Sequence, residues 1–115
     1  MAYQSFEKLE VWQRACALVV KIYHILKDTR AYGFRDQLSR AAILIPSNIA
    51  EGAERNSYLE FKQFLGYAKG SAAEVRTQLY IAKDIGLIPS DEADALITES
   101  KMISGKIHSL IKSLT

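Results

Sequence analysis

The chain is poor in the residues that carry metal, redox and covalent chemistry. Only one cysteine, Cys16, stands among 115 residues. No internal disulfide can form, and a reducing cytoplasm is the expected location. Of the two histidines, His24 follows Lys21 by three positions and His108 follows Gly105. The Glu-x-x-His pairs of helical di-iron proteins are therefore missing, as are an HExxH motif and paired cysteines. No glycine pattern of the Walker or dinucleotide-binding type occurs. Charges interrupt every apolar stretch before it approaches the roughly 18 residues of a membrane span. The start, MAYQSFEKLE, has no basic segment leading into an apolar core, so no secretory signal is expected. The excess of positive charge is only +2, too small on its own to imply a nucleic-acid partner. These absences point away from an enzyme and from any metal or other cofactor. Cys16 reads as a small buried hydrophobe, and Glu51 with Glu54 lacks any specified substrate pocket.

Two prolines and six glycines leave long stretches without punctuation, and those stretches have helical period. Leu9, Trp12, Cys16, Val19, Tyr23 and Leu26 recur at steps of three and four. DTRAYG (28–33) breaks the pattern. Leu38, Ala41, Ala42, Ile45, Ile49 and Ala53 follow. SYLE (57–60) is a capping box, in which Ser57 accepts from the Glu60 amide. The next helix repeats Phe61, Leu65, Ala68, Ala72, Val75, Leu79 and Ala82, and Gly86 suits a left-handed stop. PSDE (89–92) restarts the chain with Ser90 as expected N-cap, ahead of Leu96, Ser100, Ile103, Ile107, Leu110 and Leu114. Short connections between long amphipathic helices imply one domain over residues 1–115. Its expected fold is all-α, an antiparallel up-down four-helix bundle.

IPSNIAEGAERNS (45–57) places a proline inside a helix. Pro46 removes one amide from the ladder and crowds the carbonyl of Ala42, at about 3 kcal/mol in a helix interior. The apolar period continues to Ala53, which predicts a kink and no stop. If the second and third helices form a hairpin about position 57, Ala42 faces Ala72, and Ser71 is placed to hydrogen-bond the freed carbonyl. Gly70 then permits close helix approach near Leu44, Arg40 faces Glu74 as a candidate ion pair, and Asn48, Glu51 and Arg55 share one helix side. Together with Gly52, these residues read as packing chemistry more than as a reaction site.

QLSRAAILIPSNIAEGAERNS (37–57) followed by EFKQFLGYAKGSAAEVRTQL (60–79) resembles the signature of the 23S ribosomal RNA intervening-sequence protein family. FEKLEVWQRA (6–15) resembles its N-terminal signature. The family is similar to the accessory variability proteins of diversity-generating retroelements, which associate with a reverse transcriptase and nucleic acid. The resemblance implies a four-helix bundle assembled as a ring-like homopentamer, and implies RNA association loosely. Ile45 departs from the family pattern, in which many members carry a small polar residue near that position.

Two surfaces go beyond a bundle core. The first helix carries a second apolar series, Val11, Ala15, Leu18, Ile22 and Ile25. Together the two series cover an arc of roughly 200°, against about 100° for an ordinary surface helix. The second series is therefore expected to pack on another subunit of a homo-oligomer, in a heterologous closed ring. The other surface is basic: Arg55, Lys62, Lys69, Arg76 and Lys83 recur every seven residues. The last four span about 31 Å along the third helix, and no acidic residue lies three or four positions from any of them. Tyr80 sits between Arg76 and Lys83, placed to stack on a base. The expected function is non-enzymatic binding of RNA or single-stranded DNA, with ribosomal RNA as the expected ligand, through phosphate contacts with little sequence preference. The alternative is a protein adaptor, for example for a polymerase, without nucleic-acid affinity.

Overall fold

The computed structural model describes residues 5–114, so residues 1–4 and 115 of the domain expected over 1–115 lie outside the described residues. A 3-10 turn at Phe6–Lys8 leads into four helices: α1 (Glu10–Leu26), α2 (Tyr32–Ala53), α3 (Tyr58–Asp84) and α4 (Ser90–Ser113). No strand occurs among the described residues. Each helix packs on its neighbours in chain order, and α1 closes the bundle against α4. The result is a rod of 47 × 20 × 19 Å, an all-α four-helix bundle.

Local chemistry sets the boundaries. Ser57 Oγ accepts from the Glu60 amide at 3.2 Å, which satisfies one of the orphan donors at the start of α3. The Glu60 carboxylate returns to the Ser57 hydroxyl at 3.3 Å. After α3, Gly86 takes φ +76°, the left-handed conformation that favours glycine. At the start of α4 the expected cap shifts by one residue. Ser90 is already helical, Pro89 occupies the cap position, and Asp91 Oδ1 accepts from the Glu92 amide at 2.9 Å.

The rotation of α1 corrects the expected interface. Val11, Ala15, Leu18 and Ile22 are 0–6% exposed and lie inside the monomer's core. Ile25 packs against that core. Of the series expected inside, Leu26 is in the core and Leu9 packs against it, whereas Trp12, Cys16 and Val19 are half-buried on the shoulder and Tyr23 is exposed. The two series differ by one residue, which is 100° of helix, and two ion pairs to α4 accompany the observed rotation. Arg14 donates to both carboxylate oxygens of Glu99, at 2.7 and 3.0 Å, and Lys106 meets Glu10 at 2.5 Å. Burial of Val11, Leu18 and Ile22 is the larger contribution, and both cross-helix pairs are compatible with it.

The first pair has a pH signature. Its hydrogen bond to Arg14 holds the Glu99 carboxyl below its ordinary value of 4.5, and the bond to Lys106 does the same for Glu10. A depressed carboxyl stabilises the fold above its unfolded pKa, and that contribution is lost as pH falls through the folded value. Glu99→Gln is therefore expected to melt below wild type at pH 7. The gap should close as both are taken well below pH 4.5, as followed by circular dichroism.

The Pro46 region is packing chemistry, but with different partners from those expected. α2 runs continuously through Pro46, which is buried. Asn48 Nδ2 donates to the Leu44 carbonyl at 2.8 Å, within its own helix. Ser71 is buried, yet it forms no hydrogen bond to Ala42 among the described residues. The cross-helix serine bond is made by Ser100, fully buried on α4, whose Oγ donates to the Ala72 carbonyl at 3.1 Å. Arg40 and Glu74 are both exposed and form no ion pair among the described residues, because each points along the outer edge of its helix. Gly70 is exposed too, with nothing within 4 Å of an added Cβ. Gly52 instead allows the close crossing, since a Cβ there would lie 2.7 Å from Phe64 Cβ and 3.0 Å from Phe61 Cδ1.

Candidate nucleic-acid interface

α3 is 27 residues long, enough to carry a heptad series over its whole length. Leu65, Ala68, Ala72, Val75, Leu79 and Ala82 fill its inner face. A residue every seven positions drifts by only about 20°, so Lys62, Lys69, Arg76 and Lys83 form one row. Contacts from three of them locate that row beside α4. Lys69 Nζ lies 3.1 Å from His108 Nδ1, Arg76 Nη1 donates to Ser104 Oγ at 3.3 Å, and Lys83 Nζ donates to Asp94 Oδ1 at 2.8 Å. For Lys69 to donate to Nδ1, the imidazole must be neutral with its proton on Nε2.

The row is thus a seam between two antiparallel helices, and its charge is uneven. Lys83 is neutralised by Asp94, and that bond raises the lysine pKa. Lys62, Lys69 and Arg76 have no acidic partner among the described residues. The register that sets Lys83 against Asp94 and Lys69 against His108 sets Arg76 against Lys101. Lys101 is exposed and has no acid three or four positions away on its own helix. Lys101 and His108 therefore join the seam. Both were missed in sequence, although the heptad Asp94, Lys101, His108 mirrors the α3 row.

Arg55 leaves the group. It lies beyond the end of α2, 3.4 Å from Glu51, with its guanidinium 4.7 Å from the centre of the Phe64 ring. Its charge is compensated on the α2/α3 side of the bundle, away from the seam. Tyr80 stays on the row and is 45% exposed.

The rest of the surface offers little for a reaction. Among the described residues, no three His, Cys, Asp or Glu side chains gather where a metal could sit. Burial pushes the Cys16 thiol above its ordinary value, which keeps it protonated and a poor nucleophile at neutral pH. An open groove between the start of α1 and α4 is lined by Leu9, Val11, Met102 and Leu110 with the Glu10–Lys106 pair. No helix among the described residues is long and apolar enough to cross a membrane. One side of α1 and α2 is uncharged and carries exposed apolar side chains. Val20, Tyr23 and Ile43 are 53–61% exposed, and positions 12, 16, 19, 20 and 23 of α1 with 39, 43, 47 and 50 of α2 carry no charge.

Comparison with known proteins agrees with this architecture. A crystal structure from Bacteroides thetaiotaomicron, described as a protein of unknown function from the S23 ribosomal protein family, superposes with a TM-score of 0.83. The identity is 23%, over 89% of this chain and 98% of that one. At that identity the likeness speaks for the fold. No curated protein matches the chain significantly. The sequence profile of the 23S rRNA-intervening sequence proteins matches residues 7–109, which covers every helix of the bundle except the last turn of α4. The chain belongs to the 23S rRNA-intervening sequence protein family.

Proposed function

We propose that this protein is a non-enzymatic RNA-binding bundle that grips phosphates along the α3/α4 seam. The observation that carries this reading is the run of Lys62, Lys69, Arg76 and Lys101, which have no acidic partner among the described residues, where Lys83 at the end of the same row has one. An ordinary solvated helix flank interleaves charges of both signs. A row of one sign raises a local potential that attracts polyanions. Since no base-reading motif accompanies the row, the contacts are to phosphate and carry little sequence preference.

The reading includes assembly in the cytoplasm into a ring-like homo-oligomer, five subunits by family resemblance. With Val11, Ala15, Leu18 and Ile22 in the core, the self-association surface moves to the uncharged outer side of α1 and α2 around Val20, Tyr23 and Ile43. An apolar surface of that kind commonly marks a protein interface. A ring would repeat the seam in every subunit and multiply its field. The same apolar surface favours a second reading, an adaptor that seats a partner protein there and leaves RNA alone.

Binding of a fluorescent ribosomal RNA fragment separates the two readings. Lys69→Glu/Arg76→Glu is expected to weaken binding by tenfold or more with the oligomer mass unchanged. Lys83→Glu is expected to have a much smaller effect, because Asp94 already compensates that charge. Absence of RNA binding by the wild-type chain would move the account to the adaptor reading, and a Lys69→Glu/Arg76→Glu chain that binds as wild type would take the site away from the seam.

A further inference from the structure

Planar rings alternate with the cations of the seam. Tyr58 lies eleven residues before Lys69 and Tyr80 eleven residues after it. Eleven residues return a helix to nearly the same side after about 16 Å, so both tyrosines fall on the cationic row. They are 43% and 45% exposed. Tyr58 comes one turn before Lys62, and Tyr80 fills the gap between Arg76 and Lys83. Midway between them, opposite Lys69, is the exposed imidazole of His108. Among the described residues, no hydrogen bond or aromatic pairing engages Tyr80, and no guanidinium covers its ring. The row therefore reads ring, cation, cation with ring, cation, ring over about 33 Å.

Phosphates alone do not call for such rings. In a duplex the faces of the bases are stacked on one another and closed to side chains. In a single strand they are open, and every base has a face to stack. We propose that the α3/α4 seam takes single-stranded nucleic acid in preference to base-paired nucleic acid, with Tyr58, His108 and Tyr80 as stacking platforms between the phosphate contacts. The proposal rests on the seam's being a nucleic-acid surface and goes further by naming the class of ligand. At about 3.4 Å per stacked nucleotide, the row spans about ten nucleotides.

The test uses a fluorescent 12-nucleotide RNA of mixed sequence, alone and annealed to its complement, with the full chain at fixed low salt. The single strand is expected to bind about tenfold more tightly than the duplex. Tyr80→Ala is expected to lose about tenfold on the single strand and nothing on the duplex, while Tyr80→Phe, which keeps the ring, binds like wild type. Tyr58→Ala is expected to act in the same direction. A duplex that binds as tightly as the single strand, or a Tyr80→Ala chain that binds the single strand unchanged, would overturn the single-strand proposal and leave the seam as a phosphate surface. Absence of binding to either RNA would overturn the seam reading itself, and the single-strand proposal with it.

Discussion

Valine at position 52 is expected to destabilise the fold by about 3 kcal/mol or more, at the upper end of what overpacking a core costs. The first carbon of any side chain at Gly52 would lie 2.7 Å from Phe64 Cβ and 3.3 Å from the Phe61 carbonyl oxygen. Neither is the free end of a flexible chain. Phe64 Cβ is held by the α3 backbone, and the carbonyl is backbone itself, so relief requires α2 and α3 to separate. Separation would loosen the contacts around Ile49 and Leu65, both fully buried. Against a domain stability of roughly 5–15 kcal/mol, the Gly52→Val chain should melt about 10 °C or more below wild type. Gly70 is the control. With nothing near its Cβ position, Gly70→Ala should gain about 0.5–1 kcal/mol through helix propensity and melt a few degrees higher. A Gly52→Val chain that melts with wild type would mean that α2 and α3 do not cross closely there.

The second large effect separates the inside of α1 from its outside. Leu18 is fully buried, and Leu18→Ala should cost about 2–5 kcal/mol in lost transfer energy and residual cavity. Leu18→Glu would bury a carboxylate with no cation arranged to meet it, and the chain is expected not to fold. Val20 is two residues away and 53% exposed. Val20→Glu should keep wild-type helicity and a stability within about 0.5 kcal/mol, yet run as a smaller species on size-exclusion chromatography if the outer side of α1 and α2 holds the oligomer together. A folded, dissociated Leu18→Glu chain would return the interface to the Val11–Ile25 series. A Val20→Glu chain of unchanged mass would remove the interface assigned to the outer side.

These contrasts mark how far the sequence could be read. What depends on a few neighbouring residues was legible: the Ser57 cap with Glu60, the left-handed Gly86, and the four helices with their apolar period. What depends on one residue of rotation between helices was not. The two apolar series of α1 have the same period and lie 100° apart, and which one enters the core depends on how α1 packs on the other helices. Gly52 and Gly70 look alike in sequence, and the one with a phenylalanine above it is known only once α2 and α3 are packed.

The candidate site divides in the same way. The row from Lys62 to Lys83 and the missing acids at three and four positions are properties of a single helix, so they could be read directly. Neutralisation of Lys83 by Asp94, and the entry of Lys101 and His108, depend on the register of α3 against α4. Arg55 shares the seven-residue spacing but lies past the helix end, where the spacing no longer fixes a side. Tyr58 could have been found, since the interval that separates Tyr80 from Lys69 also separates Lys69 from Tyr58.

The account's central claim, that cations of the α3/α4 seam hold phosphates, is tested most directly by the salt dependence of RNA binding in wild type and in the neutral variant Lys69→Gln/Arg76→Gln. On a single strand each neutralised phosphate contributes about −0.7 to the slope of log affinity against log salt. Removing two contacts per chain should flatten the slope by about 1.4 for each chain engaged, with thermal stability unchanged. Parallel slopes for the two proteins would contradict the account, because they would mean that Lys69 and Arg76 release no counterions when RNA binds.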